Sequence, residues 1–493
     1  MMKTVIDILE NTVKRVPNNI FLMEKNSQIT YSEFWRLTQK KASFLKDRSQ
    51  MYRPVALLMD KSIELVSWMM ACAYCGACYC VLDTRQSEER LSKMLEQLQP
   101  SCLIVKQGYE KLVSSFEYLL EEDILLSTEE VELKPHCYSN APLYINFTSG
   151  STGQPKGVAV SHRSVLDFIP TFCKTFQFQE DDVFANQAPL DFDVSVKDLY
   201  SAMYLGASVI LIPREFFSNP TDLMDLLVEK EATVLVWAVS ALCFVSIMNG
   251  LSYRLPDRIH SILFSGEVMP VKHLRKWMKF LPQARYVNLY GPTEITCNCT
   301  YEIIDQKGDL DHISIGKAFD NEWVFLLDEN DQLVKEPNRI GEICVSGDCL
   351  ALGYWNLPEK TATSFPLNPF VKEVEIRMYR TGDQAYYDET GKLFFQGRKD
   401  FQIKHLGHRI ELGEIESVMQ EHLACERACV LYDAKRSKIE AHFEGTLTKE
   451  EMADFLKKKL PSYMIPNHIH FWPHLPMTKN GKIDRQALKG DFV

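Results

Sequence analysis

The chain has 493 residues, 46% of them apolar and 25% charged, the proportions of an ordinary globular protein, so extended disorder is excluded. At roughly 100–200 residues per domain, several folding units are expected. A formal net charge of -11 argues against nucleic acid as a partner, because binding a phosphate backbone draws on an excess of Lys and Arg.

At the start, Val5, Ile6, Ile8, Leu9 and Val13 fall at helical spacing, but Asp7 and Glu10 interrupt the unbroken apolar run that a secretory segment needs. No export signal is visible, and a cytoplasmic, reducing setting with free thiols is expected for the 14 cysteines. Four of these crowd into CAYCGACYC, residues 72–80. Cys72, Cys75 and Cys78 follow a three-residue step, predicting one packed helical face, and Cys80 opens the apolar run CVLD. A metal site needs a turn between paired ligands and a second pair elsewhere. Cys425 and Cys429 in ACERACVL do not supply that pair; their spacing reads as a helix interior leading into a strand. Packing, with no metal, is the expectation for both groups.

LYINF (143–147) is predicted as an apolar strand and GVAVSH as a second, with a helix starting at Ser161. Between them lies TSGSTGQPKG, residues 148–157, in which three glycines and five Ser, Thr or Lys side chains give a backbone rich in N–H and hydroxyl donors with one cation. Such a loop suits an oligophosphate. The G-x-x-x-x-G-K-[ST] pattern fits badly, since Pro155 stands where a glycine is required and Gly157 where the magnesium hydroxyl belongs, so a P-loop NTPase is disfavoured. Further along, residues 232–253 carry no charge and approach the roughly 20 residues of a membrane span. ATVLVWAV is β-branched enough to be a buried strand, and Ser240 is placed to cap a short helix ALCFVSIM. Strand, turn and helix are expected, without membrane insertion.

Four later segments are polar, contain glycine and are bordered by apolar runs: YGPTE (290–294), YRTGD (379–383), GRKDFQIKHLGHRIELGEIE (397–416) and PMTKNGKIDR (476–485). With TSGSTGQPKG, in this order and spacing, they resemble the adenylate-forming superfamily over essentially the whole chain. The closest resemblance is to the amino-acid adenylation domains of non-ribosomal peptide synthetases and the D-alanine–carrier protein ligases. An α/β fold is implied: a large N-terminal domain, residues 1–399, of two α/β lobes plus a distorted β-barrel, and a small mobile α+β C-terminal domain, residues 400–493. The family also has a helix of small residues running into a strand where the cysteine-rich stretch lies, which supports the packing reading.

The resemblance implies an enzyme that couples a carboxylic acid to ATP, releases pyrophosphate and passes the acyl group from its AMP anhydride to a thiol. Bringing a carboxylate to an α-phosphate sets two anions against each other, so cations are needed where charge builds up. Lys482 matches the lysine that bridges the two. Glu294 matches the acid that binds Mg2+, and Thr293 a hydroxyl on the α-phosphate. Thr148, Ser149, Gly150, Ser151, Thr152, Gly153 and Lys156 form the phosphate loop. Tyr290 would stack on adenine beside Gly291, and Asn288 would touch its edge; Asp383 and Arg398 would hold the ribose. Asp400 matches a hinge whose rotation would bring Lys404 to Glu411 over the nucleotide for thiol transfer, with Gly407 allowing close approach.

Asp193, in APLDFDVSVKD, matches the aspartate that pairs with a substrate α-ammonium, which implies an amino-acid substrate and speaks against the alternative of an aryl- or acyl-CoA ligase. By the same matching the pocket walls are Val194, Lys197, Val236, Leu263, Ser265, Leu289, Cys297 and Asn298, as for a short side chain. Lys197 either faces inward, favouring an acidic or polar substrate, or pairs with Asp198 or Glu267; pairing is the expected arrangement. Ser265 replaces a cysteine common among D-alanine ligases and disfavours D-alanine, leaving serine, alanine, cysteine and glutamate open. Because the sequence stops soon after Lys482 without a modifiable carrier segment, a separate phosphopantetheinylated carrier protein is the expected partner.

Overall fold

The computed structural model describes residues 4–124, 137–150, 155–399, 402–434, 436–478 and 483–489. Two large sheets dominate. In one of seven strands, Cys78–Leu82 and Pro54–Leu58 run parallel at the centre and Lys156–Ser161 returns antiparallel beside Pro142–Thr148. In the other, of nine strands, the run Arg285–Tyr290, Ser261–Ser265, Val234–Ala238, Val183–Asn186, Ser208–Leu211, Ile20–Met23 is parallel throughout, with antiparallel strands at both edges.

Strand alternation explains how these sheets are covered, since successive side chains point to opposite faces. In the nine-stranded sheet Val234, Val236, Leu263 and Val287 join one core with Phe168, Phe172, Leu199 and Tyr200 of the helices His162–Phe176 and Val194–Leu205. Their neighbours Leu235, Trp237, Ile262, Phe264 and Tyr286 face the opposite core with Leu227, Leu242 and Trp277. The inner core also takes Val55, Leu57, Tyr79 and Val81 from the seven-stranded sheet, so one helical layer is shared between the two sheets. Residues buried on both faces in this way read as continuous apolar runs, which is why VLVWA is uninterrupted.

The β-rich stretch forms a five-stranded antiparallel sheet ordered Leu333–Val334, Trp323–Leu327, Gly341–Ser346, Tyr379–Tyr387, Leu393–Arg398. Beyond it, a hairpin of Gln402–His405 and His408–Glu411 precedes a three-stranded sheet packed on the helices Leu412–Gln420 and Lys449–Lys459 around a separate core. This is the α/β organisation expected, with a large N-terminal and a small C-terminal part.

Several local expectations need correction. The helix Ile63–Tyr74 stops before the third cysteine: Gly76 adopts φ 75°, and Cys78 and Cys80 lie on a strand. Cys72 faces the inner core while Cys78 and Cys80 face the outer one. Cys425 and Cys429 both lie on the strand Cys425–Asp433, where a register shift between Cys425 and Arg427 sends them to different cores. All 14 thiols are free, and among the described residues no cluster suits a metal ion. Ser240 is no cap: the helix Val239–Ile247 follows the strand directly from Ala238, without a side-chain capping bond. Among the described residues no helix is long and apolar enough to cross a membrane.

Candidate functional site

The carboxyl ends of parallel strands are where open α/β sheets present ligand sites, and the motif residues gather there. Thr148 ends one strand, Ser265 and Tyr290 end two others, and Asp193 follows the strand Val183–Asn186. A cavity of about 100 Å³ lies between these ends and the C-terminal hairpin. Of the residues singled out from the sequence, Thr148, Ser149, Asp193, Val194, Lys197, Ser265, Gly291, Thr293, Cys297, Asn298, Asp383 and Arg398 border it, joined by Lys404, Gly407 and Arg409. Val236, Leu263 and Leu289 are instead packed into the core beneath. Gly150 and Lys156 are buried beside the cavity without bordering it.

Asp193 stands at the N-cap of the helix Val194–Leu205, the position where a carboxylate ordinarily binds the first free N–H groups, yet its side chain makes no capping hydrogen bond. It borders the cavity instead, 7% exposed. Burial raises its pKa, opposed by hydrogen bonding with Thr293 and by the charge of Lys197. The wall opposite is drawn close by Gly291, where a Cβ would lie 2.4 Å from Asn298 Cα and 2.7 Å from the Cys297 oxygen. Thr296 and Cys297 adopt φ 54° and 81°, a strained conformation for residues with side chains. The Cys297 Sγ donates to the Asp193 carbonyl over 3.1 Å.

Glu294 is fully buried. Its Oε2 accepts from Arg409 Nη1 at 2.7 Å, and its Oε1 from the Tyr354 hydroxyl at 2.8 Å. Burial alone would raise its pKa, but Arg409 and Lys156 outweigh it and hold the carboxyl down to about 2. Lys156, packed 5.2 Å from the Tyr354 ring centre, is pushed down to about 8 by burial and by Arg409. Asp383 pairs across two strands with Arg398, Oδ1 to Nη1 at 2.5 Å, and accepts from the Tyr290 hydroxyl on Oδ2 at 2.5 Å. Asn288 donates to the Ser314 carbonyl at 2.8 Å, and neither it nor Tyr290 borders the cavity.

The expected pairing of Lys197 with Asp198 or Glu267 is not found. Its Nζ donates to Asn298 Oδ1 at 2.6 Å, while Asp198 accepts from Asn186 and Glu267 from the Gly407 N–H. Lys482, Asp400, Ser151, Thr152 and Gly153 lie outside the described residues.

The hairpin closes the cavity. Leu406 and Gly407 take φ 52° and 81°, the two positive values of a tight I′ turn. Lys404 Nζ sits 5.7 Å from the Tyr290 ring centre, and Ser149 donates to the Arg409 carbonyl at 2.8 Å. His408 stacks on Tyr463 at 3.7 Å and is held down to about 4 by burial and Arg85, hence neutral. The C-terminal part is further anchored by the buried Arg90–Glu414 pair and by Lys459 with Glu89 at 2.6 Å. A second cavity of about 1060 Å³ shares Phe192, Gly407 and His408 with the first. Arg409, Tyr354, Arg90 and Tyr463 were not singled out from the sequence; only Arg409 lies in a quoted motif.

A family model described as AMP-binding enzyme matches residues 9–355, and one described as AMP-binding enzyme C-terminal domain matches 414–482. The chain is 30% identical over 500 residues to gramicidin S synthase 1 of Brevibacillus brevis, covering 99% of this chain and 44% of that protein. It is also 30% identical over 503 residues to tyrocidine synthase 1 of Brevibacillus parabrevis, covering 99% and 45%. The chain thus spans less than half the length of these relatives. Among solved structures, holo-PA1221, "an NRPS protein containing adenylation and PCP domains", matches with a TM-score of 0.86 at 24% identity, covering 99% of this chain and 84% of that one. The Vibrio cholerae adenylation domain AlmE, solved with glycyl-adenosine-5'-phosphate, matches at 0.85 and 22%, covering 100% and 98%. At such identities these two likenesses bear on the fold. The family matches, which take in both parts of the chain, decide the matter: the chain belongs to the AMP-binding enzyme family, within the adenylate-forming superfamily.

Proposed function

We propose that the protein activates an amino acid with ATP to its aminoacyl-adenylate, releasing pyrophosphate, and then transfers the aminoacyl group to the phosphopantetheine thiol of a carrier protein that is a separate molecule. The observation that carries this reading is Asp193: an N-cap aspartate that forgoes its cap and offers a buried carboxylate to the cavity. Thr293 and the charge of Lys197 offset only part of the cost of burying it, its pKa staying raised, and a substrate α-ammonium supplies a further partner.

In the adenylating step Thr148, Ser149, Gly150, Ser151, Thr152, Gly153 and Lys156 hold the phosphates, Asp383 and Arg398 the ribose, and Lys482 the meeting oxygens; Tyr290 and Asn288, which do not border the cavity here, would have to be uncovered to reach the base. Glu294 fits a hard cation of the Mg2+ kind once the Arg409 guanidinium has withdrawn, since such an ion takes one or two carboxylates with the phosphates and supplies charge compensation there. With Arg409 on Glu294 and Lys404 over Tyr290, the arrangement suits the second step, and the adjoining cavity of about 1060 Å³, which shares Phe192, Gly407 and His408 with the first, has room for a long thiol arm. Rotation of the segment 400–493 about Asp400 on the body 1–399 would alternate the two states.

The test is exchange of labelled pyrophosphate into ATP with a panel of amino, aryl and fatty acids. Amino-acid-dependent exchange, lost in Lys482→Ala, is the expected result. Exchange driven only by aryl or fatty acids would sink the assignment.

A further inference from the structure

We infer that the amino acid taken by this cavity carries a short side-chain carboxylate, neutralised by Lys197; this rests on reading the cavity as an amino-acid site. Lys197 is 1% exposed. A lysine is almost never buried to that degree without an anionic partner. Here its ammonium, with three donor positions, has one hydrogen bond, to the neutral amide of Asn298. Among the described residues no carboxylate lies within ion-pairing distance, for Asp198 and Glu267 are turned to Asn186 and Gly407.

The surroundings of the ammonium favour an anion over a neutral acceptor. Lysine has no acceptor, so the Asn298 amide must present its oxygen to Lys197, which leaves its NH2 as a second donor; the Ser265 hydroxyl on the cavity wall is a third. A carboxylate, with two acceptor oxygens, can take up donors of this kind, and Val194 and Cys297, which also border the cavity, carry no charge. Asp193 is matched by the substrate ammonium, and burial pushes Asp198 up to about 7, leaving it only partly ionised near neutrality. Burial disfavours the Lys197 charge, which the nearby Asp193 and Asp198 carboxylates support without pairing to it; a substrate carboxylate within hydrogen-bond reach would support it further.

Length follows from the helix. Asp193 and Lys197 are four residues apart on one face, with Cβ atoms about 6 Å apart. The substrate's ammonium and side-chain carboxylate must therefore lie close together. Aspartate and glutamate meet these conditions.

Pyrophosphate exchange should be measured for wild type with aspartate, glutamate, asparagine, glutamine, alanine and serine, beside benzoate and octanoate. An acidic amino acid is expected to exceed its amide by roughly a hundredfold in kcat/KM, the scale on which a buried polar site rejects a ligand that leaves its groups unmatched. Lys197→Met should move the preference toward the neutral member of each pair. Asn298→Asp, which places a fixed carboxylate beside the ammonium, should erode acid selectivity independently. The wild-type panel needs no variant to fold. Preference of the wild type for alanine, serine or an amide overturns the inference alone; exchange with benzoate or octanoate only overturns the amino-acid reading beneath it.

Discussion

Replacing Arg409 with methionine separates the two half-reactions. The Arg409 side chain, 12% exposed, meets the fully buried Glu294 at 2.7 Å, and Glu294 is held down to about 2 from an ordinary 4.5. That displacement corresponds to about 3 kcal/mol of preference for the ionised acid, and breaking a buried pair by removing one partner costs about 3–5 kcal/mol. The loss falls on the state in which the hairpin is docked, because adenylate formation on this account needs Arg409 withdrawn from Glu294. At about 1.4 kcal/mol per tenfold, the docked population should fall roughly a hundredfold or more. Single-turnover loading of a carrier protein from preformed aminoacyl-adenylate should slow to that degree, while pyrophosphate exchange should fall far less. Equal losses in both assays would refute the reasoning.

Nucleotide binding should take up protons in mildly alkaline solution. Lys156 sits near 8 in the structure because burial and Arg409 disfavour its charge; a phosphate beside it restores the charge and raises its pKa toward or beyond 10.5, so between about pH 8 and 10 binding adds protons. Calorimetry of ATP binding at pH 9 in buffers of different ionisation enthalpy reads this directly, and heats independent of buffer would count against Lys156 as a phosphate ligand. Gly291→Ala should destabilise the fold by about 1–3 kcal/mol, since the new Cβ meets backbone at 2.4 Å, lowering Tm by several degrees in a thermal melt. An unchanged Tm would show that the 297–299 segment yields freely.

Periodicity read well wherever one element dominates its window. The strands Pro142–Thr148 and Val234–Ala238 and the helix beginning after Ser161 were all legible. It failed where a backbone turn interrupts a pattern that chance has continued: cysteines at 72, 75 and 78 keep a helical step across Gly76, but its positive φ ends the helix and starts a strand. Near Cys425 a bulge upset the reading in the same way, since one extra residue flips which side faces the core. At the site, motif spacing located the residue types while their partners lay beyond its reach. Glu294 meets Arg409 across 115 positions and Lys197 meets Asn298 across 101. Contacts so distant are fixed by how the C-terminal hairpin and the strand ends come together, which no local pattern encodes.

The account stands on Asp193 as the partner of a substrate ammonium, and calorimetric titration with a paired set of ligands addresses that point alone: a 5'-O-aminoacyl-sulfamoyl adenosine and its counterpart lacking the amino group. Wild type should bind the amino ligand roughly a hundredfold more tightly, and Asp193→Ala should bind the two alike. Equal affinity of wild type for both ligands would contradict the account.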